Sequence, residues 1–478
     1  MSGISTPGSA VESAPAAPDR GKLLQILGLG FGLAVAVGNT IGAGILRTPG
    51  EIASHLPNAW LFMAVWVVGG LYAMLGAIAL AELGTMLPSS GGQYVFARYA
   101  LGDYAGFVVG WSDWLSTCGT VAAVSIVVGE YSRALFPALS GWTGAILANF
   151  GANAATAENQ NNAIAVVVAL AFGILQWRGM RWGSGTQNIT SLAKTIALLA
   201  LVAACFVLGG KQPAAAPAAA SLPAGMPLFF ALVFSLQSVI YTYDGWSGVV
   251  YFSEEVRNPS RDIPRAIFGS ILLIMGIYLL MNLALIYLMP ISKIAGDEFP
   301  AGTASKLIFG AYGDTIIRTI MIVSLLSCIN ANHLMATRVL FAMGRNRLFT
   351  ERVATVNAGG TPTVSLAASV GVALLFIVFG KQFGKVIEAL AFFFVANYTI
   401  SFTSLFVLRF KEPDRPRPYR SWGYPWTTGL ALCGSVAFLA GAIWGDVHSE
   451  KWNSIYALAL LAASYPIYRI SKYLSARP

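Results

Sequence analysis

Long apolar runs recur along almost the whole chain and are separated by short polar connections. Each run is about 20 residues long, which is enough for a helix to cross roughly 30 Å of hydrocarbon. The pattern predicts twelve membrane spans, of which the first and the sixth are interrupted. The spans are Leu24–Leu56, Ala59–Ala81, Ala105–Phe136, Ala163–Gln176, Ile189–Leu208, Leu228–Tyr251, Ile267–Leu288, Asp314–Phe341, Val364–Phe379, Val386–Leu408, Trp426–Trp444 and Ser454–Tyr468.

The first interruption is the stretch GNTIGAGI at residues 38–45. Each glycine inside a helix costs about 1 kcal/mol relative to alanine. Non-helical backbone persists at membrane depth only where it is buried in protein or lines a cavity. The stretch therefore predicts either a binding site made of backbone or a close helix crossing, which small residues also permit.

The second interruption is the stretch YTYDGWSG at residues 241–248, about 200 residues further along the chain. Two interrupted spans at corresponding positions of two halves indicate a transporter site. The amides freed at Gly42, Ala43 and Gly44 begin a half-helix and favour an anion. Carbonyls freed at the second interruption suit an ammonium group. One anionic and one cationic face together fit the carboxylate and amine of an amino acid.

Composition supports the membrane interpretation. Of the 478 residues, 56% are apolar and 11% are charged, whereas a soluble domain has about 25% charged residues. The net charge of +9 comes from short connections, so it does not predict nucleic-acid binding. Twenty of the Lys and Arg residues fall in the predicted inner segments and seven in the outer ones, which predicts cytoplasmic termini.

The domain organisation follows from the spans. We expect a disordered cytoplasmic tail at residues 1–21, a first five-helix repeat at 22–210, a second, inverted repeat at 225–408 and two additional helices at 424–472. The four cysteines are scattered among the spans without short spacings, so they predict neither a metal site nor a disulfide framework. No cofactor is expected.

Two ionisable residues stand out at predicted membrane depth. Lys194 lies about six residues into the fifth span, where an ammonium group is costly unless it faces the protein. It is either a fixed cation or proton carrier, or a lysine that extends to the cytoplasmic surface. Asp244 is either a substrate ligand or, with higher weight, a cap for the following half-helix. Arg47 either gates the outer vestibule or pairs with Glu51.

Nine segments carry a resemblance to the amino acid–polyamine–organocation (APC) superfamily, close to its L-type amino-acid transporter branch. They are Gly38–Pro49, Ala81–Gly84, Pro88–Tyr94, Ala100–Gly102, Gln187–Lys194, Tyr243–Trp246, Ser253–Pro259, Asp262–Ile267 and Arg338–Arg345. The first resembles the family pattern G-x-x-IG-small-GIF-x-x-P. The segments cover the first eight spans in order, and their combination is highly specific.

The resemblance implies an all-α, twelve-helix membrane protein with a LeuT-type 5+5 inverted repeat and broken helices 1 and 6. It implies that the carboxylate binds at the first interruption and the amine at carbonyls of the second, with an aromatic residue, Tyr241, closing over the substrate. It also implies that Lys194 replaces a sodium ion, with Ser324 and Ser327 as partners. The implied substrate ligands are Thr40, Ile41, Gly42, Ala43, Gly44, Ile45, Tyr241, Thr242 and Asp244.

Three departures from the family pattern qualify the comparison. Ala43 stands where many relatives have serine, and Arg47 stands where many L-type relatives have an apolar residue. The outer loop at residues 137–162 has no cysteine, so no disulfide-linked glycoprotein partner is expected. The aromatic run Phe392–Phe394 either lines the side-chain pocket or packs against lipid and core.

The sequence therefore predicts a sodium-independent transporter of zwitterionic L-amino acids in the cytoplasmic membrane. It works either as an exchanger or with protons. The alternative is a polyamine or cationic amine antiporter, which needs a further acid at membrane depth, and we expect none besides Asp244. An enzyme is not expected, because the histidines in the spans, His333 among them, lie in no catalytic motif.

Overall fold

The structure is a computed structural model that describes residues 22–149, 156–210, 227–448 and 453–475. The expected tail at residues 1–21 and most of the connection at 210–225 lie outside these ranges. The described residues are helical, with two isolated β-bridges and no β-strand. The helices are α1 Leu29–Thr40, α2 Gly44–His55, α3 Ala59–Met86, α4 Gln93–Leu101, α5 Asp103–Leu135, α6 Ala138–Asn149, α7 Ala157–Trp177, α8 Met180–Leu208, α9 Leu228–Tyr243, α10 Pro259–Leu288, α11 Ile291–Ile294, α12 Pro300–Phe309, α13 Gly313–Arg345, α14 Thr363–Val378, α15 Gly380–Lys411, α16 Trp426–His448 and α17 Asn453–Ser475.

The lengths and apolar character of these helices confirm a multi-pass membrane protein. Among the described residues, nine helices are long and apolar enough to cross a bilayer, and the bent pair of α1 and α2 makes a tenth. The apolar helix α14 is shorter, at 16 residues. The helix α17, which corresponds to the last predicted span, is not among the ten.

Both interrupted spans have a local break in the backbone. The axes of α1 and α2 differ by 46°, and residues 41–43 between them are not helical. The helix α9 ends at Tyr243, and a turn of four residues follows. A short 3₁₀ helix, Gly248–Phe252, then leads toward α10. In the first break the chain bends sharply, whereas in the second it changes to a tighter helical form.

Several helices begin earlier than the apolar pattern predicts. The helix α8 starts at Met180, nine residues before the predicted start at Ile189. The polar segment that precedes Ile189 therefore belongs to the helix, and its Gln187 is fully buried against protein. Lys194 consequently lies fourteen residues into the helix, which corresponds to about 21 Å along its axis. The expectation that it lies near the helix start was wrong.

The packing surrounds the first break with other helices. The helix α1 contacts α8, α10 and α13, and the 3₁₀ helix also packs against it. A continuous core of buried apolar side chains runs through these elements. The helices α15, α16 and α17 form a smaller second cluster around Phe392 and Phe393. The window of α16 that could cross a membrane is only 11% buried, as expected for a peripheral helix.

One end of the molecule is held together by ion pairs, and we call it the basic end. There Arg338 of α13 and Glu255, which follows the 3₁₀ helix, form a buried pair with an N–O distance of 2.9 Å. Glu82 at the end of α3 is fully buried and pairs with Arg409 and Arg417 at 2.6 and 3.0 Å. Buried pairs of this kind are strongly destabilised by loss of one partner. At the basic end, buried ion pairs therefore join α13 to the segment after the 3₁₀ helix, and α3 to α15 and the segment that follows α15.

Candidate substrate site at the two helix breaks

The first break frees backbone groups that a continuous helix would pair. In the described part of the chain, the amides of Gly42, Ala43 and Gly44 have no protein acceptor. They lie at the start of α2, where the positive end of the helix dipole favours an anion. The break therefore presents a set of donors that a carboxylate could use.

The two breaks meet at one cavity of about 230 Å³. One water needs only about 10–15 Å³, so a small solute fits. The lining also draws residues from α5, α13 and α15. The lining residues are Asn39, Thr40, Gly42, Ala43, Gly44, Thr120, Ala123, Val124, Val127, Tyr241, Thr242, Asp244, Leu325, Cys328, Asn332 and Phe394.

Most of the predicted substrate ligands therefore lie together. Thr40, Gly42, Ala43 and Gly44 face the cavity from the first break, and Tyr241, Thr242 and Asp244 face it from the second. The side chains of Ile41 and Ile45 do not, because both are fully buried in the apolar core. For those two positions, only the backbone is available to a ligand.

Glycine allows the breaks to approach each other. Gly245 has a φ of +110°, and a Cβ there would lie 2.9 Å from the backbone nitrogen of Thr40. Both the left-handed conformation and the close approach require glycine. On the other side of α1, a Cβ at Gly38 would overlap the side chains of Gln187 and Ser191.

Tyr278 of α10 connects the breaks directly, and the sequence pattern did not identify it. Its hydroxyl group lies 3.1 Å from the carbonyl oxygen of Thr40 and 2.9 Å from that of Thr242. The side chain is fully buried. Since a carbonyl oxygen has two lone pairs, each retains one for a further donor. Tyr278 thus sets the spacing between the breaks.

Lys194 is fully buried and donates to two freed carbonyls of the first break. Its Nζ atom lies 2.8 Å from the oxygen of Gly38 and 2.7 Å from that of Ile41. In an unbroken helix those oxygens would accept from the amides of Gly42 and Ile45. The lysine therefore replaces two lost helix hydrogen bonds. This geometry excludes the interpretation in which Lys194 extends to the surface.

The two predicted serine partners of Lys194 have different environments. Ser324 donates to the oxygen of Ile41 at 2.8 Å and so shares an acceptor with the lysine. Ser327 instead contacts Ser191 at 2.9 Å and Gln187 at 3.2 Å. The expectation for Ser327 as a direct lysine partner was wrong, because its hydroxyl lies beside Gly38 and hydrogen-bonds with Gln187 and Ser191 and not with Lys194.

Asp244 does not cap a half-helix. It follows α9 in the turn, and the residue that precedes the 3₁₀ helix is Ser247. The carboxylate accepts a hydrogen bond from the Tyr398 hydroxyl of α15 at 2.8 Å. The cap, which had the higher weight, was the wrong prediction, because the chain continues as a turn and not as an α-helix.

Arg47 and Glu51 do not pair. The guanidinium group of Arg47 donates to the hydroxyl of Tyr131 at 2.6 Å and lies against the rings of Tyr131 and Phe299. Glu51 instead accepts from Ser238 at 2.9 Å. The arginine thus joins α2 to α5 and to the segment before α12. The alternative in which Arg47 pairs with Glu51 was wrong, because each side chain hydrogen-bonds with a residue of another helix.

The aromatic run of α15 divides between the two predicted environments. Phe394 lines the cavity, whereas Phe392 and Phe393 pack with residues of α16 and α17. Phe394 and Tyr241 also line a smaller space of about 20 Å³ next to the cavity. The two rings therefore form a wall between the spaces.

Asp113 contradicts the expectation that Asp244 is the only acid at membrane depth. It lies in α5, is 1% exposed and accepts hydrogen bonds from Tyr251. It is not part of the cavity lining. A search of the spans for charged residues would have found it, since it lies inside the predicted third span.

The comparisons with known proteins agree with this architecture. Residues 27–464 match the family model described as amino acid permease. The chain is 26% identical to the serine/threonine exchanger SteT of Bacillus subtilis, over 93% of this chain and 97% of the relative. It is 25% identical to the large neutral amino acids transporter small subunit 2 of Oryctolagus cuniculus, over 98% and 85%. Identity to the human b(0,+)-type amino acid transporter 1 is 24%, over 84% and 80%.

The family match and the names of the relatives indicate a transporter. The chain belongs to the amino acid permease family of the APC superfamily. Within it, the relatives confirm the resemblance to the L-type branch that the sequence motifs indicate.

Proposed function

We propose that the protein is a secondary transporter that moves zwitterionic L-amino acids by alternating access. The observation that carries the proposal is the cavity of about 230 Å³ that residues of both helix breaks line. Free amides at Gly42 to Gly44 bind the carboxylate of the substrate. The carbonyls of Tyr241, Thr242 and Asp244 receive its amine, each through a remaining lone pair. Tyr241 and Phe394 then contact the side chain.

Transport is independent of sodium in this proposal. The Nζ atom of Lys194 already supplies a positive charge to the carbonyls of Gly38 and Ile41, where a cation would otherwise bind. The driving force is either exchange for another amino acid or symport with protons. Lys194 and Ser324 hold the first break in shape, and Arg47 controls the outer entrance through its contact with Tyr131.

The fold proposed for this activity has twelve spans in a LeuT-type arrangement. Residues 22–210 and 225–408 are inverted repeats, followed by two helices at 424–472. Spans one, two, six and seven rock against the others around the shared site. The cavity and the basic end then open in turn, and substrate crosses between them.

The proposed location is the cytoplasmic membrane, with both termini and the basic end on the cytoplasmic side. The bias of Lys and Arg toward these connections supports that orientation. The transporter acts without a disulfide-linked glycoprotein subunit, since three of its four cysteines are buried and the fourth, Cys433, lies in α16. Its partners are the amino-acid substrate, lipid and, in the symport alternative, protons.

Uptake of radiolabelled amino acids into proteoliposomes tests the proposal. The panel should cover the proteinogenic set and include serine, threonine and large neutral amino acids, which the names of the relatives contain. We expect saturable uptake or counterflow that is unchanged when sodium is replaced by choline. Absence of both uptake and counterflow for the whole panel, in protein with a normal melting profile, would refute the proposal.

A second candidate is an antiporter of polyamines or other organic cations. Asp244 favours it, because this carboxylate faces the cavity and could hold a second ammonium group. Tyr398 already occupies one of its oxygens, which favours the zwitterionic substrate. Competition of labelled amino-acid uptake by putrescine and agmatine distinguishes the two candidates.

A further inference from the structure

Asp113 is a buried acid that the proposed amino-acid site does not use. It lies ten residues into α5 and is 1% exposed. Ten residues of helix span about 15 Å, so the carboxyl group lies well inside the membrane-spanning part of the helix. Burial of a carboxylate is costly unless it is paired with a cation, and this makes its surroundings informative.

The carboxyl group of Asp113 has one hydroxyl donor and no cationic partner in the described residues. Its two oxygens lie 3.0 and 2.9 Å from the hydroxyl of Tyr251. The titratable groups that face this region are Tyr251 of the 3₁₀ helix, Asp244 of the turn, Tyr398 of α15 and Tyr94 of α4. All of them are acids or phenols, so none can neutralise a negative charge.

Asp113 and Asp244 have reciprocal contacts across the same interface. Tyr251, in the segment after the second break, donates to Asp113 of α5. Tyr398 of α15 donates to Asp244, which begins that segment, and also contacts Ser247 at 3.2 Å. Both hydrogen bonds therefore join the second-break segment to the α5 and α15 side. Any movement of that segment relative to α5 and α15 therefore changes the hydrogen bonds of Asp113 and Asp244 together.

We propose that Asp113 is a proton-binding site that couples proton entry to amino-acid entry, with Asp244 and the tyrosine hydroxyls leading to it from the cavity. This inference rests on the proposed function. Of the two alternatives for the driving force, exchange and proton symport, it selects proton symport, in which the proton gradient drives amino-acid entry.

The proposed cycle conserves protons and charge. With the cavity open to the outside, the Asp113 carboxylate takes a proton from a hydronium ion of the outer solution, which leaves a water molecule. It becomes a neutral carboxyl group, which suits its buried site. When the basic end opens, the Tyr251 hydroxyl moves away and cytoplasmic water reaches Asp113. The O–H bond of the carboxyl group then breaks, the proton passes to that water, and the carboxylate is restored for the next cycle.

Proton movement in proteoliposomes tests this inference. Vesicles enclose the pH-sensitive dye pyranine, and potassium with valinomycin holds the membrane potential at zero. A mixture of the proteinogenic L-amino acids is added outside at a lower pH. We expect the wild type to acidify the lumen only when the mixture is present. A gradient of one pH unit should raise accumulation of labelled substrate by about tenfold for each coupled proton.

The decisive variant is Asp113→Asn, which keeps the shape and removes the proton site. We expect it to lose amino-acid-dependent acidification and to show no stimulation by the pH gradient. Asp113→Glu keeps a carboxyl group and should restore part of both signals. Asp103→Asn is the matched control on the same helix, because Asp103 is partly exposed and pairs with Arg98 and Lys472 at the surface. It should behave as the wild type.

Each outcome decides between the proposals. Acidification by Asp113→Asn at the wild-type rate would overturn the role of Asp113. Uptake by the wild type without acidification would also overturn it and leave the amino-acid transporter intact. A wild type without any uptake would refute the proposed function itself. If Asp113→Asn fails to fold, Tyr251→Phe serves instead, since it keeps the carboxyl group and should shift the pH dependence of acidification.

Discussion

Replacing Lys194 tests the role of a fixed cation at the first break. The lysine makes two charge-assisted hydrogen bonds, to the oxygens of Gly38 and Ile41. Bonds to charged groups contribute about 1.5–3 kcal/mol each, so their loss weakens the bent conformation by about 3 kcal/mol or more. The oxygen of Gly38 then has no side-chain donor, whereas that of Ile41 keeps Ser324 at 2.8 Å.

This energy sets the expected loss of transport. Since 1.4 kcal/mol corresponds to a factor of ten, a cost of about 3 kcal/mol lowers the transport-competent population by about 100-fold. Lys194→Met is the best variant, because it keeps the apolar stem and removes only the charge. Ser324→Ala removes one neutral hydrogen bond of about 1 kcal/mol and should reduce transport by only about fivefold.

The assay is the initial rate of counterflow in proteoliposomes, normalised to folded protein by size-exclusion chromatography. Melting temperature, measured in parallel, separates loss of folding from loss of activity. Ser327→Ala is the control, because Ser327 contacts Gln187 and Ser191 and not the lysine. If folded Lys194→Met retains half or more of the wild-type rate, the lysine does not hold the break, and the reasoning fails.

Three further predictions follow from other contacts. Gly245→Ala should abolish transport and lower the melting temperature. The added Cβ would lie 2.9 Å from the backbone nitrogen of Thr40, and residue 245 has a positive φ that alanine rarely adopts. Retained counterflow would contradict this packing. Glu255→Gln breaks the buried pair with Arg338 and should lower the free energy of unfolding by about 3 kcal/mol or more. Glu254→Gln breaks the partly exposed pair with Arg345 and should lower it by about 1 kcal/mol or less. Equal melting curves for the two variants would refute this difference between buried and exposed pairs. Cys328 lines the cavity, so a small methanethiosulfonate should inactivate transport by the Cys433→Ser variant, which lacks the exposed cysteine. Saturating substrate should slow this inactivation. Equal inactivation rates with and without substrate would place the substrate elsewhere.

The backbone part of the site was largely predictable from the sequence. Glycines and polar residues in an apolar run mark a break because hydrocarbon does not satisfy free amides. A lysine inside a span must likewise find acceptors. Both signals are local, and the residues that carry them, Gly42–Gly44 and Lys194, lie in the sequence stretches that the pattern identified.

The side-chain contacts were less predictable because they depend on the relative rotation of distant helices. Ser327 lies only three residues from Ser324, yet its hydroxyl reaches a different cluster. Arg47 contacts Tyr131, 84 residues away, in place of its helical neighbour. Tyr278 looks like one more aromatic residue in an apolar run. Its role depends on the position of α10 beside both breaks, which no periodicity reveals.

Tyr278 has a consequence for the kind of molecule that can be carried. The phenolic oxygen lies within hydrogen-bond distance of one carbonyl from each break. It therefore fixes the distance between the two breaks, and with it the space for the carboxylate and amine of the proposed substrate. All α-amino acids share that head, whatever their side chain. A β-amino acid inserts one more carbon, which adds about 1.5 Å between its charged groups. We therefore expect the protein to transport α-alanine and to reject β-alanine. Tyr278→Phe removes the hydroxyl that fixes the distance between the breaks, so it should reduce the difference between the transport rates of the two compounds.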